Sequence, residues 1–238
     1  MNGQFDIVIT GVVGRTGKPD LQMRETIAQF ARASNVSRVS WRATPDDTPE
    51  IIIEISPPRA RFGDLEVTLP PLAFLQPTQA GEDALVASIM ELLPRTGKFA
   101  DLFSGCGTFT GPMLQRGAVD AYESVGSAIR ALDKAKGVRP LKAIRRDLFL
   151  HPLRRDEANR YDAIVFDPPR AGAQEQVRIL ASSRTPLLVG VSCNPATFAR
   201  DAQILVWSMA AIGSTASGSS INSPGLTTSN CRRFHQAA

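Results

Sequence analysis

Cys193 stands at the end of an apolar run, in Val189-Gly190-Val191-Ser192-Cys193-Asn194-Pro195-Ala196-Thr197. A thiol just ahead of a proline that suits the first turn of a helix faces the positive end of the helix dipole, which is a good place for a nucleophile. Taken alone, the plainer reading of a small buried hydrophobe has the better claim. Two further signals lie upstream at the spacing of a parallel sheet. In Asp101-Leu102-Phe103-Ser104-Gly105-Cys106-Gly107-Thr108-Phe109 two glycines follow a strand, where bare backbone can approach a ligand, although a structural turn is the commoner source of such a pair. Glu123 then ends the next strand, where a carboxylate can accept both hydroxyls of a ribose. Asp147 follows the third strand and could accept from an adenine amino group. A solvated carboxylate at a helix start is the alternative for Glu123, and a surface patch with Arg145 and Arg146 is the alternative for Asp147. The third signal is Phe166-Asp167-Pro168-Pro169-Arg170. Its prolines fix φ and remove donors, so the turn is either a stiff wall for a planar base or a simple strand terminator.

The elements that must position these residues change character along the chain. Residues 1–70 read as a small α+β unit: short apolar strands at 5–9, 39–41, 51–55 and 65–69, with a helix at 21–33. Pro70-Pro71 punctuates its end. From 71 to 211 strands and helices alternate. Strands are expected at 99–103, 119–122, 141–144, 163–166 and 186–191, and helices at 80–93, 111–116, 125–135, 174–181 and 196–210. Such alternation predicts an α/β fold with a parallel sheet covered on both faces. Residues 212–238 are rich in Ser, Gly, Thr and Asn without periodicity, and are expected to be disordered or weakly packed.

The 238 residues, 43% hydrophobic and 21% charged, can bury a sizeable core, which excludes a wholly disordered chain. A net charge of +4 permits a polyanionic partner without requiring one. Three scattered cysteines argue against a disulfide framework or a cysteine-rich metal site and point to the cytoplasm. No run is long enough to span a membrane, so a soluble protein and a monomer are expected. Gly14-Arg15-Thr16-Gly17-Lys18-Pro19 lacks the spacing and the Ser/Thr of a phosphate loop. Cys106 reads as a packing residue. Pro57-Pro58-Arg59-Ala60-Arg61 and Arg154-Arg155 could touch the phosphates of a polyanion, though a solvated face is the simpler reading of each.

The ordered set of motifs resembles the S-adenosylmethionine-dependent RNA 5-methyluridine methyltransferases that act on ribosomal or transfer RNA. The resemblance runs from about Leu69 to Leu205. It rests on Leu69-Pro70-Pro71-Leu72-Ala73-Phe74-Leu75-Gln76, the glycine loop, Asp167-Pro168-Pro169-Arg170-Ala171-Gly172, and Ser192-Cys193-Asn194-Pro195-Ala196-Thr197 followed by Arg200-Asp201. It implies a Rossmann-like class I methyltransferase sheet beside a partial RNA-binding region. By the same resemblance Gln76, Phe103, Thr108, Glu123, Asp147 and Asp167 match donor-contacting positions, Cys193 matches the nucleophile, the cofactor is S-adenosyl-L-methionine and the partner is RNA. No metal is implied.

Family members usually add an N-terminal β-barrel, and many hold an iron–sulfur cluster on four cysteines. They also carry a general-base glutamate in a His-x-Glu-like segment between two last strands. Residues 206–238 contain no glutamate. Moving the frame so that each codon joins one residue's third base to the next residue's first two lets Ile221 to Asn230 encode Gln-Phe-Thr-Trp-Ser-His-His-Ile-Glu. An N-terminal truncation and a C-terminal frameshift are therefore expected, with methylation by this chain in doubt. The competing readings are a non-catalytic fragment that binds donor or RNA, and an amino-methyltransferase. The latter usually has an aromatic where Arg170 stands.

Overall fold

The computed structural model describes residues 5–13, 17–213 and 233–234. A first unit holds β1 (Asp6–Thr10), α1 (Leu21–Ala33), β2 (Arg38–Arg42) and β3 (Glu50–Glu54). β1 and β2 pair in parallel, and β2 and β3 antiparallel. Asp20 caps α1 by accepting from the Met23 amide at 2.9 Å, and Ile27 and Ala31, one turn apart, pack with Ile7, Val36, Val39 and Ile53. Phe30, on the expected apolar stripe, is exposed instead. The other face of this sheet buries a charge. Arg38 donates to both carboxylate oxygens of Asp6, to Glu54 and to the Leu69 carbonyl, and so ties the first unit to the chain beyond it.

β4 (Arg59–Phe62) and β5 (Leu65–Thr68) form a hairpin across Gly63-Asp64. β4 was not expected, because Arg59-Ala60-Arg61 reads as a polar surface. Its strand pattern becomes visible only with Phe62, which is buried. The hairpin packs on the larger layer: Phe62, Leu65, Val67 and Leu69 share one core with Phe99, Val119 and Leu132. Arg139 donates to the Asp64 carbonyl at 2.9 Å. The packing thus joins residues 59–69 to the second unit, ahead of Pro70-Pro71.

The second unit runs α2 (Gln79–Leu92), β6 (Gly97–Leu102), α3 (Thr110–Met113), β7 (Gly117–Glu123), α4 (Gly126–Ala135), β8 (Leu141–Arg145), α5 (Arg155–Ala158), β9 (Ala163–Phe166), α6 (Gln174–Ala181), β10 (Leu187–Gly190), α7 (Pro195–Gly213) and β11 (Arg233–Phe234). The strand order is β11-β10-β9-β6-β7-β8, and every neighbouring pair is parallel. Both faces are buried, as a doubly wound sheet requires. Phe99, Val165 and Val189 face α2–α4 and the hairpin, while Ala100, Ile164 and Leu188 face α6 and α7. The order turns back at β6, which lies between β7 and β9. The carboxyl ends of β6 and β9 therefore flank the crevice where such sheets take ligands.

Within the stretch expected to be without regular structure, Arg233–Phe234 adds a parallel strand beside Val189 and Gly190. Residues 214–232 and 235–238 lie outside the described residues, as do Gly14 to Thr16. No described helix is long and apolar enough to cross a membrane.

Candidate active site

The glycine loop leaves β6 through three left-handed residues. Phe103 has φ +62°, Gly105 +54° and Gly107 +104°. Gly107 is required by packing as well as by φ, since a Cβ there would lie 2.6 Å from Leu132 Cδ2. Gly105 differs: a Cβ there would meet nothing within 4 Å, so the loop presents bare backbone to open space. Half-buried Thr108 completes the loop. The Gly105 amide donates to Glu123 Oε2 at 3.0 Å, while Glu123 Oε1 accepts from Ser124 Oγ and the Val125 amide. Glu123 is thus half-buried and held by three donors, two of them just ahead of α4. It joins the loops after β6 and β7 and keeps an accepting lone pair on Oε2.

Sequence reasoning passed over Asp101, the penultimate residue of β6. This carboxyl is fully buried, and Thr110 Oγ1 donates to its Oδ2 at 2.5 Å. Among the described residues its Oδ1 has no partner, and neither has the buried Ser104 Oγ. Burial, with only partial relief from Thr110 and added repulsion from Asp167, raises the Asp101 carboxyl to about 7. Burial also raises Asp167 to about 6. Two acids are thus held above their ordinary range beside the glycine loop. An acid inside an otherwise apolar strand was the available signal.

Asp147 follows β8 and uses Oδ1 to accept from the Phe149 and Leu150 amides. Among the described residues no ion pair joins it to Arg145 or Arg146, which have other partners. Arg146 pairs with Glu157 through two bonds and holds that carboxyl down at about 2, and Arg145 donates to the Ser124 carbonyl. The Phe103 and Phe149 rings meet at 5.5 Å, tilted by 52°, which brings the loops after β6 and β8 together. Gln76 stands elsewhere, in a groove of about 390 Å³ formed by the β4–β5 hairpin and the start of α2. Its lining includes Arg59, Arg61, Glu66 and Glu82 but no glycine-loop residue.

Cys193 is exposed, between β10 and α7, which overturns the plainer reading of a buried thiol. Asn194 starts α7 by accepting from the Ala196 amide, and its Nδ2 donates to the Arg170 carbonyl at 3.0 Å. The cysteine loop and the acid-proline loop are therefore neighbours. Among the described residues no group of three or more His, Cys, Asp or Glu could hold a metal ion.

No protein-family model matches the chain. An uncharacterised RNA methyltransferase of Mesorhizobium japonicum is 41% identical over 209 residues, covering 84% of this chain and 49% of that protein. A 23S rRNA (uracil(1939)-C(5))-methyltransferase, RlmD, of Thiobacillus denitrificans is 37% identical over 193 residues, covering 76% of this chain and 44% of that protein. Among solved structures, the Pyrococcus abyssi tRNA (uracil-54, C5)-methyltransferase in complex with S-adenosyl-L-homocysteine superposes with a TM-score of 0.60. It is 26% identical and covers 71% of this chain and 44% of that one. The chain spans a little under half the length of these relatives.

Proposed function

We infer that this chain, a relative of RNA methyltransferases with a Rossmann-like methyltransferase sheet, carries the donor site and nucleophile of an RNA uracil-C5 methyltransferase. The observation that supports the reading most is the convergence of three loops at the carboxyl edge of one sheet: the glycine loop after β6, Asp167-Pro168-Pro169-Arg170 after β9, and Cys193 after β10. The crevice suits S-adenosyl-L-methionine. Space lies open over Gly105, and two buried polar atoms, Asp101 Oδ1 and Ser104 Oγ, lack partners among the described residues that a ligand could provide. When bound, the donor would supply an electrophilic methyl group on a sulfonium.

The chain's own residues would act as follows. Glu123 offers its remaining acceptor to a ribose hydroxyl, and Asp147 keeps its Oδ2 for an amino group. Phe103, Thr108 and Asp167 complete the donor set at this crevice; Gln76, which the family resemblance also implies, lines the groove of the β4–β5 hairpin instead. A uridine must leave its stack to reach the loop edge. The Cys193 thiolate then adds to uracil C6, and the C5–C6 electron pair moves to C5 and the adjoining carbonyl as an enolate. C5 takes the methyl group while still bearing its own proton. A base must remove that proton so that the pair re-forms the double bond and expels the thiolate. The resemblance assigns that base to a glutamate. The step carried by this chain's own residues is the covalent adduct through Cys193.

A 5-fluorouridine-substituted ribosomal or transfer RNA tests this, because fluorine at C5 blocks the elimination. A denaturation-resistant complex should form with donor present and vanish in Cys193→Ala. A complex that persists in that variant would exclude Cys193 as the nucleophile. Stabilisation by donor analogue with no complex at all would favour a binding fragment without chemistry.

A further inference from the structure

We propose that Arg200 and Asp201 are positioning residues: they clamp the acid-proline loop and the cysteine loop into one rigid body. The proposal rests on the reading of Cys193 and Asp167 given above. The first two turns of α7 hold consecutive backbone groups of the loop after β9. The Arg170 carbonyl accepts from Asn194 Nδ2 at 3.0 Å and from Thr197 Oγ1 at 3.3 Å. The Ala171 carbonyl accepts from Arg200 Nη2 at 3.2 Å, and the Ala173 amide donates to Asp201 Oδ2 at 2.9 Å. Asp201 commits its other oxygen to Arg200, which grips it through Nε at 2.9 Å and Nη2 at 2.8 Å. Positions 194, 197 and 201 recur at helical spacing, so one face of α7 carries the grip.

Gly172 shows how closely the surfaces meet. Its φ is +75°, and a Cβ there would lie 2.7 Å from Asp201 Oδ2 and would overlap Arg200 Nη2. Asp201 is 6% exposed, so its bonds are shielded from water. Asp167 lies five residues before Gly172 on one side of the clamp, and Cys193 adjoins Asn194 on the other. The distance between donor and thiol is therefore set by α7, not by the flexibility of either loop. A displacement near 1 Å at such a site is enough to cost on the order of 100-fold in rate.

The test uses the full chain with Asp201→Asn, Arg200→Lys and wild type. Asp201→Asn is isosteric but turns an amide donor towards Arg200 or the Ala173 N–H. The rate of adduct formation with 5-fluorouridine RNA should fall about 10- to 100-fold, with S-adenosylhomocysteine affinity held within about 3-fold. Arg200→Lys keeps the charge but not the fork, and should lie between the two. Hydrogen exchange gives a readout independent of the chemistry: amides of 168–175 and 192–198 should lose protection together in Asp201→Asn while β6 and β7 keep theirs. Unchanged exchange in both segments, or adduct rate and analogue affinity falling in parallel, overturns the clamp. Absence of any adduct in wild type overturns the assignment of Cys193 instead, and exchange alone then decides the clamp.

Discussion

Replacing Asp101 by Asn should make the protein more stable at pH 8 than it is with its native carboxylate. The carboxyl is wholly buried, with one oxygen bonded to Thr110 and the other unpartnered among the described residues, and it is raised from 3.8 to about 7. Between those values the folded state holds a proton that the unfolded chain has released. Stability therefore falls as pH rises through that window, and the loss is complete above about pH 7. A rise of this size corresponds to about 4 kcal/mol. Asp167, raised to about 6, adds a change of the same sign that ends lower. Glu157 acts oppositely: its stabilisation is present above its ordinary value and lost as pH falls from 4.5 towards 2, below the pH 5 to 8 range of the comparison. In Asp101→Asn the side-chain carbonyl still accepts from Thr110, while the amide inherits the unpartnered position at a cost of about 1–3 kcal/mol. The expected net gain is about 1–3 kcal/mol at pH 8, vanishing or reversing at pH 5. Urea denaturation followed by circular dichroism at both pH values measures it. Wild-type stability that is equal at pH 5 and 8, or a variant that shows the same fall as wild type, would refute the reasoning.

The two loop glycines should separate folding from binding. Gly107→Ala combines a left-handed φ with overlap on Leu132 and should cost about 2–4 kcal/mol in thermal or urea unfolding. Gly105→Ala meets no neighbour, so it should cost about 1 kcal/mol yet weaken S-adenosylhomocysteine binding more than 10-fold by calorimetry. Arg38→Met leaves Asp6, Glu54 and the Leu69 carbonyl without their shared donor and should destabilise by about 2–4 kcal/mol. Arg38→Lys should recover only part of this in the same denaturation assay, because a point charge cannot span three acceptors.

The positions of the sheet and its ligand edge were legible because strands buried on both faces read as apolar runs and their loops carry glycine or proline. Runs at 99–103, 163–166 and 186–191, and the glycine and acid-proline turns, each lie where the pattern puts them. What escaped notice are groups whose meaning depends on tertiary contact. Arg59-Ala60-Arg61 looks like solvent-facing charge until Phe62 and the Gly63 turn close it into a hairpin against Gly111. Arg38 and Asp101 look like ordinary polar residues in short strands, and only burial turns the first into a junction and the second into a strained acid. The α7 clamp is an intermediate case, since its residues fall on one helical face in the sequence but acquire a role only when the loop after β9 is seen beneath them. The Cys193 loop illustrates the same division. Its proline and asparagine announce a helix start from the sequence alone, whereas the exposure of the thiol between two loops pinned to each other is a property of the packed sheet edge. A nucleophile needs both features: local geometry that presents the sulfur, and a fixed neighbour against which a planar base can be held.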